Sequence, residues 1–149
     1  MKGITFENMD GSNLKIGIVV AQWNSELTNS LLESCIEGLK DSSVAEENII
    51  ISHVPGSFEV VHGAKKMIDR GVDAVVAIGV LIKGETMHFE YLAEAASQGL
   101  MKLNIETNTP VIFGVLTALT EDQARKRSIG EHNHGFSWGK SAVQMGLLT

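Results

Sequence analysis

One cysteine, Cys35, occurs in 149 residues, so no intrachain disulfide framework holds this fold together. It stands among Leu31, Leu32, Ile36 and Leu39, the setting of a buried structural thiol rather than a nucleophile. With two prolines there is no proline-rich linker, and no repeat or low-complexity tract divides the chain. Aromatic residues make up only 5%, so the core has to be built from Val, Ile, Leu and Ala, which suits buried parallel strands. Positive charge is also scarce. The net charge is −6 and the basic runs are short, Lys65-Lys66 and Arg125-Lys126-Arg127, which argues against nucleic acid or an anionic membrane as partner. The second run reads either as an anion site or as a solvated helix face. No apolar signal region or bilayer-length stretch is visible, and a cytoplasmic protein is expected.

What the chain does have is an alternation of short aliphatic runs and amphipathic stretches, the pattern of βα units around a parallel sheet. Its length predicts one domain over 1–149, with residues 1–14 an N-terminal extension flexible in part. Lys15 to Ala21 predicts the first strand, followed by a helix whose stripe is Leu27, Leu31, Leu32, Cys35, Ile36 and Leu39. Ile49 to His53 predicts the second strand, and Ser57 a cap for a helix that stops at Gly71. Ala74 to Gly79 predicts the third strand, with a long loop to Met87 and a helix from Met87 to Leu103. Val111 to Leu116 predicts the fourth, and Thr120-Glu121-Asp122-Gln123 a capping box opening a helix to Ser128. A loop from Gly130 to Gly139 then leads into a last helix carrying Val143, Met145 and Leu147. Four parallel strands with helices on both faces make a flavodoxin-like, doubly wound α/β domain, for which right-handed crossovers favour strand order 2-1-3-4.

In such a fold ligands bind outside the carboxyl ends of the strands, where the strand order reverses. That rule selects Gln22-Trp23-Asn24, Pro55 to Glu59, Val80 to His88, and Phe113 to Thr117. The segment Gly79 to Thr86 has the glycine spacing of a nucleotide-triphosphate loop, but Glu85 stands where that motif needs Lys. What survives is a glycine-containing turn leading to a helix N-terminus, a setting for a phosphate monoester, with Thr86 as a hydroxyl donor; the same spacing also fits a plain strand–helix connection. His88 falls in the first turn of that helix, where the dipole disfavours imidazolium and leaves a base able to take and return a proton. Trp23 could stack on a planar ring or simply pack, Glu59 could accept ligand hydroxyls or merely favour a helix N-terminus, and Phe113 fits core packing equally well. His132-Asn133-His134 lacks a third ligand at any zinc spacing, so no metal is expected.

Several of these segments, in this order and spacing, resemble the lumazine synthases over nearly the whole chain. Pro55-Gly56-Ser57-Phe58-Glu59 is similar to that family's turn after the second strand, and Gly79 to Tyr91 (GVLIKGETMHFEY) to its phosphate loop and histidine, in the form fungal members have. Phe113 to Thr117 with Glu121 to Arg127 resembles its fourth strand and basic helix, and Asn133-His134-Gly135 with Trp138-Gly139 its fungal C-terminal segment. The resemblance implies condensation of 5-amino-6-(ribitylamino)uracil with 3,4-dihydroxy-2-butanone 4-phosphate, without a cofactor, to 6,7-dimethyl-8-ribityllumazine. It implies that Trp23 stacks on the pyrimidine, that Ser57, Phe58 and Glu59 hold the ribityl chain, and that the backbone of Val80, Leu81 and Ile82 reads the uracil edge. Glu85, Thr86 and Arg127 then fall at the phosphate, His134 is counted among the substrate-binding residues, His88 becomes the proton shuttle, and Phe113 comes from a neighbouring subunit.

Many members carry Lys near position 134, where this chain has His134. The glycine-rich turn associated with icosahedral shells is replaced by the stretch from Ile129 to Trp138, which implies a homopentamer rather than a capsid. Competing expectations are a flavin-holding module without chemistry, a non-catalytic ring or shell protein, and a pentameric riboflavin synthase.

Overall fold

The computed structural model describes residues 3–149. Its elements run β1 (Ile16–Ala21), α1 (Ser25–Asp41), β2 (Ile49–Val54), α2 (Val60–Asp69), β3 (Ala74–Ile82), α3 (His88–Thr107), β4 (Val111–Ala118), α4 (Glu121–Ser128) and α5 (Gly135–Gly146), with 3-10 turns at Glu46–Asn48 and Gly130–His132. All strand pairs are parallel and the order is β2-β1-β3-β4, the expected doubly wound arrangement.

The two faces follow from the two-residue period of the strands. Ile16, Ile18 and Val20 on β1, with Val76 and Ile78 on β3, point to the layer of α1 and α5 and meet Leu31, Cys35, Leu39 and Val143. Their neighbours Val19, Ala21, Val75 and Ala77 point the other way, onto Val60, Ala64 and Met67 of α2 and Leu100 of α3. Because β1 and β3 are covered on both faces, each reads as an aliphatic run interrupted only by one glycine, Gly17 in β1 and Gly79 in β3. Burial of each such side chain contributes about 1.5–3 kcal/mol before entropy is charged against it.

Four local expectations need correction. First, β3 continues three residues past Gly79, since β4 pairs with it as far as Ile82↔Ala118 and Lys83 N–H then donates to the Ala118 carbonyl at 2.9 Å. Three more apolar residues with ladder partners stay in the strand, and the long loop shrinks to residues 83–87. Second, Ser57 does not cap α2; the N-cap is Glu59, without a side-chain bond, because the buried Ser57 is turned onto β3. Third, α3 runs to Thr107 and is ended by Asn108 in the left-handed conformation.

The fourth concerns Gly130 to Gly139, where α5 already begins at Gly135. Glycine is a poor helix former, yet a β-carbon on Gly135 would stand 2.2 Å from the Leu31 carbonyl oxygen, and one on Gly139 2.4 Å from that of Cys35. These residues let α5 lie directly against the backbone of α1, and close packing overrides propensity.

The capping box is present in a shifted form. Thr120 Oγ1 accepts from Gln123 N–H at 3.2 Å, while Gln123 Oε1 accepts from Leu119 N–H, one residue earlier than the usual reciprocal partner. Toward the N-terminus, Leu14 is buried and Gly11 N–H donates to the Ser42 carbonyl at 2.7 Å. The flexibility expected within 1–14 falls partly on residues 1 and 2, which lie outside the described residues. No helix among the described residues is long and apolar enough to cross a membrane.

Candidate active site

β1 and β3 part company where the strand order reverses. The last paired residues are Val20 and Ile78, so β3 projects beyond β1 from Gly79 onward. Into the gap above the end of β1 comes Asn24, held at φ 61°, ψ 46°, a left-handed conformation that Asn tolerates better than most residues. Its Nδ2 donates to the Val80 carbonyl at 3.0 Å, tying the β1–α1 turn to the projecting strand. Trp23 N–H donates to the Pro55 carbonyl at 3.0 Å, which fixes the Trp backbone while leaving its side chain 74% exposed.

These constraints frame a cleft of about 500 Å³ lined by Trp23, Asn24, Gly56, Ser57, Phe58, Glu59, Val80, Leu81, Ile82, His88 and Leu92. Eight of the residues expected at the site from sequence therefore stand together: one aromatic plate, one polar turn, one strand edge and one histidine. His88 opens α3, and its N–H donates to Thr86 Oγ1 at 3.3 Å. Thr86 and Glu85 sit in the exposed connection and do not line the cleft. Sequence reasoning selected Asn24 only as part of a segment; the signal for its role is an Asn at a strand exit, where left-handed backbone is common.

The remaining expected residues lie elsewhere. Phe113, Arg127 and His134 line a second cleft of about 320 Å³ at the free edge of β4, together with Gln123 and Trp138. Here the alternative readings of the basic run separate. Arg125 forms a two-pronged pair with Glu26 at 3.0 and 2.8 Å, and Lys126 pairs with Asp122 at 2.9 Å. Arg127 donates to the Gln123 carbonyl at 2.9 Å and has no carboxylate partner among the described residues, so its charge is left for an anion. His134 N–H donates to the Arg127 carbonyl at 2.9 Å, and its ring meets Trp138 edge to face at 6.1 Å. Burial, and secondarily the Arg127 charge, hold the His134 imidazole below the usual histidine pKa.

His132 sits in the exposed 3-10 turn beside Glu131. No group of three or more His, Cys, Asp or Glu is placed to hold a metal among the described residues. Cys35 is fully buried, which pushes its thiol up to about 12 and removes it from any nucleophilic role.

A doubly wound sheet with a part-apolar, part-polar cleft at its switch point and a histidine at a helix N-terminus defines a small-molecule α/β enzyme of the flavodoxin-like layout. Residues 13–149 match the family model described as 6,7-dimethyl-8-ribityllumazine synthase. A protein of that name from Schizosaccharomyces pombe is 46% identical over 99% of this chain and 95% of its own length. One from Pyricularia oryzae is 40% identical over 98% and 93%, and one from Flavobacterium psychrophilum 44% identical over 93% and 75%. The chain belongs to the 6,7-dimethyl-8-ribityllumazine synthase family, the transferases of the penultimate step of riboflavin biosynthesis.

Proposed function

We propose that the first cleft binds 5-amino-6-(ribitylamino)uracil and that 3,4-dihydroxy-2-butanone 4-phosphate joins it there, with the phosphate directed toward Arg127 and His134 of a neighbouring copy. Trp23 stacks on the pyrimidine, the projecting edge of β3 at Val80, Leu81 and Ile82 reads the uracil groups, and Ser57, Phe58 and Glu59 hold the ribityl chain. The aryl amine attacks the ketone and water leaves to form an imine. Inorganic phosphate is eliminated, leaving an enol that tautomerises to a carbonyl. The ribitylamino nitrogen closes onto that carbonyl, and loss of a second water gives the lumazine. Each step moves a proton, and His88 is the group placed to carry it. Most of the acceleration comes from holding two reactants in register.

The observation that carries this reading is the division of the expected site residues between two clefts. Phe113, Arg127 and His134 border the outer edge of β4, which no other strand among the described residues pairs with, as is needed if they complete the site of another subunit. On this reading the active form is a closed ring, and we take it to be a homopentamer acting in the cytoplasm. Thr86 and Glu85 complete the phosphate end through the connection that leads into α3, Thr86 by its hydroxyl and Glu85 by its backbone N–H.

The test is the visible absorbance of the lumazine after mixing purified protein with both substrates, alongside His88→Ala. Formation well above the spontaneous rate, slowed in the variant, supports the assignment. Equal rates with and without protein overturn it.

A further inference from the structure

We infer that Lys83 and Glu90 are positioning residues for this reaction: their ion pair ties the exit of β3 to the first turn of α3 and thereby sets where His88 stands. The inference rests on the proposed role of His88 as the proton shuttle. The two residues bracket the whole connection between strand and helix. Lys83 is the first residue after β3, and its backbone is pinned to β4 by the bond from its N–H to the Ala118 carbonyl at 2.9 Å. Glu90 lies two residues after His88, and its Oε1 accepts from Lys83 Nζ. Between them Glu85, Thr86 and Met87 are exposed, and the internal bonds are His88 N–H to Thr86 Oγ1 and Tyr91 N–H to the Met87 carbonyl at 3.2 Å.

A pair of this kind adds little to global stability, since both side chains are partly hydrated. Its effect is local. From Lys83 to His88 every residue is exposed, so the connection itself carries no apolar anchor. The cross-link acts with the half-buried Phe89 of the first helical turn to limit how far the start of α3 can swing from the strand edge that reads the substrate. Glu90 is suited to that task. The hydrogen bond from Lys83 holds its carboxyl below the ordinary carboxylate range, and the helix N-terminus favours its charge. Its second oxygen, Oε2, is shielded from water and has no hydrogen-bond partner, so the carboxylate is committed to this place rather than free in solvent. The pair also engages the ammonium of Lys83.

The experiment compares wild type with Lys83→Met, Glu90→Gln, the double variant and Lys83→Arg, each substrate being varied in turn across a pH series. The expected result is a loss of roughly tenfold in kcat for each charge-removing variant, with both KM values within about twofold. The double variant falls no more than about twofold further, because one interaction is lost either way. Lys83→Arg keeps the pair and restores most of the rate. Unchanged rates, losses that multiply in the double variant, or a rise confined to the KM for the butanone phosphate each overturn the inference, the last by making Lys83 a ligand. An active wild type with unaffected variants removes the positioning role alone, whereas a wild type forming no lumazine removes the underlying reading as well.

Discussion

Ser57 lies directly over Gly79: a β-carbon at position 79 would stand 2.3 Å from Ser57 Oγ and 3.1 Å from Ser57 Cβ. The turn that frames one side of the cleft is therefore seated on a strand position with no side chain. Gly79→Ala should push that turn outward, costing about 1–3 kcal/mol as overpacking does and weakening binding of the aminouracil. Urea denaturation and the KM for that substrate measure the two effects. Adding Ser57→Ala removes the nearest clash and should recover part of the stability. A Gly79→Ala variant as stable as wild type would show that the turn does not rest on the strand.

Asn24 supplies a second constraint, from its backbone and side chain separately. Asn24→Gly keeps access to the left-handed conformation and loses only the bond to Val80, whereas Asn24→Ala loses both. The Ala variant should be less stable than the Gly variant by about 1 kcal/mol, reversing the order found inside a helix. Thermal midpoints of the two proteins decide it, and equal midpoints would mean that the turn relaxes to ordinary backbone.

The contrast between these residues shows how much was legible. Buried parallel strands announce themselves as aliphatic runs, so sheet, order and switch point could be read from Ile16–Ala21, Ala74–Ile82 and their neighbours. Trp23, Ser57 and His88 could be placed at one cleft because the topological rule puts strand exits together. What local pattern could not reveal was pairwise. The extension of β3 depends on β4, the helical state of Gly135 to Gly139 depends on contact with α1, and Ser57 is packed over Gly79 instead of capping α2. Nor does position along the chain reveal that Phe113, Arg127 and His134 face away from the first cleft.

Trp23 offers a clean separation of binding from folding. Its side chain is largely exposed in the isolated chain, so Trp23→Ala should change stability by no more than about 0.5 kcal/mol. Loss of a stacked ring should raise the KM for the aminouracil by roughly tenfold. Titration of the aminouracil into wild type should quench indole fluorescence, and saturation without a change in emission would place the pyrimidine elsewhere.

His134 yields a prediction in pH. Its imidazole is held below the usual value of 6.5, first by burial and then by Arg127, so folding favours the neutral ring. Its contribution to stability is fully present above the unfolded value and is lost as pH falls through that value toward the folded one. Arg127→Gln should raise the His134 pKa but leave it depressed, since burial remains. Inorganic phosphate should raise it further in wild type, because a bound dianion favours imidazolium. An NMR titration of the His134 ring measures both shifts. A His134 pKa unmoved by phosphate would count against an anion site in the second cleft.

The two-cleft arrangement has a consequence that no single-chain mechanism shares. His88→Ala damages the first cleft and Arg127→Met the second, so each homogeneous protein should be impaired at every site. If a neighbour completes each site, unfolding the two together and refolding at equal ratio creates some junctions where an intact first cleft meets an intact second one. Random assembly in a ring makes that about a quarter of the junctions, and the mixture should recover roughly that share of wild-type activity. The same proteins refolded separately and then mixed should show no recovery, provided subunits do not exchange. If each chain instead completes its own site, every site in the mixture carries one defect or the other, and co-refolding should give only the mean of the two impaired rates. Activity well above that mean therefore requires Arg127 to act on a substrate bound beside the His88 of another subunit.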